Sequence, residues 1–210
     1  MARFGLVGDR RLGASMPALR QLGRQLGRDH ALALALWDSG IPDAQILASL
    51  LADPAALTVA QMNAWTRTMP AWDVCDQACL NAFRRSPLAW ARVPVWARSG
   101  DLFTRRAAFS LLAVLAVHDK VRPDADFAAR LELVEQVAPL DERPLVRKAL
   151  SWALRQIGKR SAPLRDEALA VALRLRELPE AGARWVGGDA WRELRSRDAQ
   201  RRSSAAGRTP

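Results

Sequence analysis

A chain of 210 residues, 50% hydrophobic and 26% charged, can bury a sizeable core and is too apolar to stay disordered. Lys and Arg number 32 against 22 Asp and Glu, and the resulting +10 favours a polyanionic partner such as nucleic acid over a small-molecule site. Two cysteines, Cys75 and Cys79, are too few for zinc and badly spaced for a disulfide, and the uncharged apolar run from Ala107 to Val117 is too short for a membrane span, so a soluble chain of the reduced cytoplasm is expected.

Met1 to Gly13 has irregular glycines with no Lys-Ser or Lys-Thr after them, so it holds no phosphate loop and reads as a lead-in. Ser15 and Pro17 open a helix through Gly27, with Leu19, Leu22 and Leu26 at helical spacing. His30 to Asp38 follows; its Leu32, Leu34, Leu36 alternation resembles a strand, but the interspersed alanines and Gly40 favour a helix. Pro42-Asp43 starts a helix through Leu51, and Thr58-Val-Ala-Gln61 is a capping-box pattern opening the helix that carries Trp65. Pro70 to Arg85 reads as one complete helix, with Asp73 in the first turn at the positive end of the dipole and Arg84 and Arg85 in the last.

Ser86-Pro87 begins a helix to Arg98 that contains Trp90 and Trp96, and Asp101 to His118 is a long apolar helix led by Arg105 and Arg106. Pro123 starts an amphipathic helix with Phe127, Leu131 and Val134 on its apolar side, and three more are predicted over Leu145–Arg160, Pro163–Leu178 and Pro179–Leu194. No convincing strand is left over. The short connections make consecutive helices antiparallel neighbours, and pairs at intervals of about forty residues describe an all-α solenoid of HEAT-like pairs, with a compact bundle as the alternative. One helical domain over 1–195 is expected, then a basic tail over 196–210 expected to be disordered.

Two faces carry chemistry. Trp72 and Asp76 are four apart, which puts an aromatic ring and a carboxylate on one side of a helix, one turn from each other. Together they can stabilise a cation; alternatively they are a core Trp beside a solvent-facing Asp. Lys148, Trp152, Arg155 and Lys159 are spaced four, three and four, which aligns three cations and an indole. Such a row suits a phosphate backbone beside a sugar or base, or it is a solvated basic stripe with its Trp lying on a neighbouring helix. His30 and His118 are far apart and read as helix-terminal or packed, the cysteines as buried small apolar residues, and no metal is expected.

Trp72-Asp73-Val74-Cys75-Asp76-Gln77, Arg105-Arg106-Ala107, Leu115 through Lys120 and Lys148 through Arg160, in this order, resemble the AlkD-like DNA alkylation repair family. Asp29-His30, Ile46 through Leu50 and Arg184-Trp185-Val186 fit as well, so the resemblance spans nearly the whole chain. It implies a C-shaped stack of HEAT-like repeats with a basic concave face on duplex DNA. It also implies a DNA glycosylase for cationic N3- and N7-alkylated purines, without base flipping, cofactor or membrane, acting as a monomer.

By this resemblance Asp76 is the catalytic carboxylate and Trp72 and Trp152 flank the deoxyribose. The same resemblance puts Arg106 near the lesion's backbone, and the basic residues Arg105, Lys148, Arg155 and Lys159 are expected to supply the further DNA contacts. The alternative within the same fold is a non-catalytic DNA-binding module for damaged or branched DNA; a helical scaffold for another protein fits the fold but not the charge. Family members usually carry one more helix before the position of Met1, Ser151 stands where an Asn is common, and Gly187-Gly188 are expected to loosen the start of the terminal helix.

Overall fold

The computed structural model describes residues 10–206, with side-chain surroundings for 10–196, and no strand occurs among the described residues. In chain order the helices are α1 (Met16–Leu26), α2 (His30–Asp38), α3 (Pro42–Leu51), α4 (Val59–Thr68), α5 (Trp72–Asn81), α6 (Ala89–Ala97), α7 (Leu102–His118), α8 (Asp124–Val137), α9 (Pro144–Gly158), α10 (Ala162–Glu177) and α11 (Ala181–Ala206). Short 3-10 turns, Phe83–Arg85 and Ala138–Leu140, follow α5 and α8. The chain divides into two compact units, Met1–Leu111 and Leu112–Pro210.

Helix starts follow the local chemistry. Ser15, Asp29 and Ser161 accept from the backbone N–H three residues on, while Pro17, Pro42 and Pro144 occupy first-turn positions where no N–H is needed. Thr58 and Gln61 form a complete capping box: the Gln61 N–H donates to Thr58 Oγ1 at 3.2 Å and the Thr58 N–H donates to Gln61 Oε1 at 2.8 Å. Thr58→Ala is therefore expected to lower the unfolding free energy by about 1 kcal/mol in a urea titration, with an unchanged denaturant slope. Gly27, at φ +72°, ends α1 in a left-handed conformation that a side chain would disfavour.

In the first unit α1, α3 and α5 form one layer and α2 packs on α3. The other layer is stitched by rings. Trp37 of α2 stacks on Trp65 of α4 at 4.0 Å, Trp65 meets Phe83 at 5.9 Å, and Phe83 meets Trp96 of α6 at 5.4 Å. The buried indoles keep partners, Trp37 Nε1 donating to Thr68 Oγ1 and Trp96 Nε1 to Asn63 Oδ1.

This stack explains why the predicted Pro70–Arg85 helix is interrupted. The α-helix starts only at Trp72, after the N-cap Ala71, and ends at Asn81; the backbone turns at Ala82, which brings Phe83 into full burial between Trp65 and Trp96. Arg84 Nε then donates to the Leu80 carbonyl at 2.6 Å, satisfying an acceptor that the broken helix leaves open. Likewise α6 begins at Ala89 rather than at Ser86-Pro87, where the Ser86 hydroxyl accepts from the Leu88 N–H in a tight turn.

In the second unit α8 packs on α9 and α10 on α11, while α8 also meets α10 and α9 meets α11, a two-layer stack of helix pairs. Arg160 closes its beginning, donating to the carbonyls of Ala116, Asp119 and Arg122 and to Asp124 Oδ1, with its guanidinium 3.9 Å from the Phe127 ring centre. Gly187 does not loosen the terminal helix as expected. It lies inside α11, where an added Cβ would press on the Ala172 carbonyl oxygen and come within 2.9 Å of Leu175 Cβ and 3.0 Å of Arg176 N, so the bare glycine lets α11 lie against α10. Helical backbone also continues past Leu194 to Ala206, into the stretch expected to be a tail; side chains from 197 on, and all of 207–210, lie outside the described residues.

Candidate functional site

Val74, Cys75, Ala78 and Cys79 fill the core side of α5, and this turns Trp72 and Asp76 toward its half-buried side. The two cysteines are free and buried, as small apolar residues would be. Asp76 is not solvent-facing. From α7, Arg106 Nη2 donates to both its oxygens, at 3.0 and 2.8 Å, and Ser110 Oγ donates to Oδ1 at 2.9 Å. Arg106 and Ser110 stand four apart on one helix face and are themselves buried, at 5% and 0% exposure. The Asp76 side chain keeps 19% of its surface open, so it is fixed from behind and reachable from one side.

Burial pushes the Asp76 carboxyl above the ordinary aspartate range; the Arg106 charge and the Ser110 and Arg106 hydrogen bonds oppose this, while Asp73 adds to it. Asp73, read as a charge facing the helix dipole, also makes an ion pair with Arg11 at 2.6 Å. Arg11 is brought there because the buried carboxylate of Asp43 accepts from the N–H groups of Leu12 and Ala14. The lead-in segment thus supplies a charge beside the site. Arg106, expected near the lesion's backbone, donates to Asp76 and holds the carboxylate; Arg105, next to it, is half-buried. Ser110 is absent from the sequence reading, although it is the lone polar residue in the apolar run Ala107 to Val117, one turn after Arg106.

In the second unit the cationic row of α9 is present, but two of its members have carboxylate partners. Lys148 is exposed. Arg155 and Lys159 both pair with Glu193 of α11, Arg155 Nε lies 3.6 Å from Asp189, and the buried Ser151 hydroxyl donates to Asp189 at 2.5 Å. Burial works to raise the Glu193 carboxyl, yet hydrogen bonds from Lys159 and Arg155 outweigh it and hold the group below its ordinary value. Trp152 is half-buried, and Gln156, oriented with its amide oxygen toward them, accepts from Trp152 Nε1 and Lys159 Nζ at 3.3 Å each. Asp189 and Glu193 went unnoticed in sequence because their partners lie about 38 residues away, on another helix.

His30 and His118 are the first residue of α2 and the last of α7. Among the described residues no group of three or more His, Cys, Asp or Glu could hold a metal ion, and no helix is long and apolar enough to cross a membrane.

The family described as DNA alkylation repair enzyme matches residues 1–192 of the chain. No curated protein matches it. A solved structure from a family related to the HEAT-like repeat DNA glycosylases, with affinity for branched DNA structures, is similar at a TM-score of 0.72 and 19% identity, covering 82% of this chain and 74% of that one. The fold is therefore that of the HEAT-like repeat proteins, in agreement with the layered helix pairs of each unit.

Proposed function

Because the chain belongs to the DNA alkylation repair enzyme family, we propose that it is a DNA glycosylase hydrolysing the N-glycosidic bond of cationic N3- and N7-alkylated purines in duplex DNA. The observation that supports this reading is a single carboxylate, Asp76, gripped by buried Arg106 and Ser110 one helical turn from Trp72, in a chain of net charge +10. An alkylated purine leaves with the electron pair of the broken bond, which neutralises its ring, so no acid is needed to protonate it. Positive charge then develops at the sugar C1′. The ionised Asp76 stabilises that charge and takes the proton of the water whose oxygen bonds to C1′. Trp72 and Trp152 have the lesser role of cation-attracting rings, each worth about 0.5–2 kcal/mol. The resemblance to the AlkD-like family implies that the lesion stays in the duplex, unlike the targets of glycosylases that extrude a base into a pocket.

Release of N7-methylguanine or N3-methyladenine from methylated duplex tests the proposal; a chain that binds duplex and releases neither base is not this enzyme. The pH dependence adds a second check. Asp76 must be ionised to act and burial raises its carboxyl, so the acid limb of base release is expected above the pH typical of an exposed aspartate. Ser110→Ala removes a donor that favours the charged form and is expected to move that limb to higher pH still, with the plateau rate little changed. Stability follows the opposite sense: a carboxyl raised in the folded state contributes most below the unfolded aspartate value and loses that share as pH rises through the folded midpoint.

A second reading, a binding module for branched DNA, is favoured by the affinity of the structurally similar relative. It predicts tighter binding to a four-way junction than to methylated duplex, and no base release from either.

A further inference from the structure

The cations of α9 already hold anions. The Glu193 carboxylate bridges Arg155 and Lys159, and one turn earlier on α11 Asp189 accepts from Ser151 and approaches Arg155. A carboxylate seated across two cations presents the paired oxygens that a phosphodiester presents to the same donors. We propose that Glu193, backed by Asp189, stands in for a DNA phosphate in the free chain, and that the backbone of bound DNA displaces it from Arg155 and Lys159.

Magnitudes favour the exchange. The pairs are part-buried, with 25% of Arg155, 17% of Lys159 and 28% of Glu193 side chains exposed, so they hold more than the about 0–1 kcal/mol of a fully exposed pair, yet a released Glu193 carboxylate can turn to water. A phosphate on the same cations gains in addition from released counterions, a term that grows as salt falls. The helix need not move for this. Leu194, next to Glu193, is buried against Gly158, and Gly187 seats α11 on α10, so the backbone stays anchored while a Glu side chain changes rotamer. Lys148, exposed and two turns earlier on α9, extends the same row. Glu193 thereby lowers the affinity for DNA in general and makes it less steeply dependent on salt. The inference rests on the reading of the chain as a DNA-binding protein, and not on base release.

Fluorescence anisotropy on an unmodified duplex over a range of salt concentrations tests it. Glu193→Gln keeps the shape and removes the charge; it is expected to bind about tenfold tighter at about 0.1 M salt, with a log–log salt slope steeper by about one. Glu135→Gln removes the same charge from the pair that Glu135 of α8 makes with Arg174 of α10, away from the α9 row, and is expected to change affinity by less than about twofold. Adding Arg155→Gln to Glu193→Gln is expected to abolish the gain. Asp189→Asn is expected to shift affinity in the same direction by less, and replaces Glu193→Gln should that variant melt early.

The proposal is overturned if Glu193→Gln binds no tighter than the parent, if Glu135→Gln gains as much, or if the gain survives the loss of Arg155. Tighter binding by Glu193→Gln in a chain that releases no methylated purine keeps this inference and removes the glycosylase. Base release by the parent with no gain for Glu193→Gln does the reverse.

Discussion

Asp76→Asn is expected to slow release of N7-methylguanine by roughly 10²–10³-fold or more, because a neutral amide neither offsets the charge at C1′ nor accepts a proton from water. The same substitution is expected to lower stability. Arg106 is 5% exposed and its guanidinium donates to both Asp76 oxygens, so neutralising the carboxylate removes the counter-charge that Asp76 supplies to a buried cation. Breaking a fully buried pair costs about 3–5 kcal/mol, but burial already disfavours the ionised Asp76, the Asn oxygen still accepts one N–H and the site is open on one side, so a smaller loss of about 1–2 kcal/mol is expected. Lost activity in the single variant would therefore mix chemistry with unfolding.

Pairing Asp76→Asn with Arg106→Met separates the two, since removing both charges restores much of the stability and none of the chemistry. Urea titrations and single-turnover rates on the parent, the two single variants and the double variant complete the cycle. Base release at the parental rate by a folded Asp76→Asn or by the double variant would show that the carboxylate is only an ion-pair partner. Trp72→Ala is expected to slow the reaction far less, in proportion to the 0.5–2 kcal/mol of a cation–ring contact, about 2- to 30-fold.

Neighbouring glycines of α11 are expected to respond with opposite signs. Gly187→Ala gains about 1 kcal/mol of helix propensity but drives a methyl group into the Ala172 carbonyl and the Arg176 amide, backbone atoms that cannot rotate aside. Overpacking of this kind costs about 1–3 kcal/mol and more when a helix must lift from its neighbour, so a net loss of about 2 kcal/mol is expected. At Gly188 the nearest atom to an added Cβ is Arg192 Nη1 at 3.7 Å, an ordinary contact with a flexible side chain. Gly188→Ala is thus expected to gain up to about 1 kcal/mol. Chemical denaturation of both variants decides it; a Gly187→Ala chain as stable as the parent would mean that α11 does not pack on α10 as closely as described.

Much of the architecture is legible along the chain because helix starts are local events. Ser15, Asp29, Thr58 with Gln61, and the first-turn prolines act within one turn, and the structure places helix starts beside them. The interruption at Ala82 was not legible: it exists so that Phe83 can meet Trp65 and Trp96, rings contributed by other helices. Gly187 is misleading in sequence for the same reason, since a glycine that weakens an isolated helix is the one that admits a close neighbour.

The candidate site divides along the same line. Spacing alone puts Trp72 and Asp76 on one helix side and Lys148, Trp152, Arg155 and Lys159 on another, because helical periodicity is a property of consecutive residues. Which partner each charge meets is decided only when distant helices pack. Arg106 and Asp76 are 30 residues apart and Arg155 and Glu193 are 38, distances over which sequence carries no geometric constraint. An arginine turned inward to hold a carboxylate and one turned outward to a phosphate are identical letters, and the cost of burying an unpaired charge selects between them only in the folded chain.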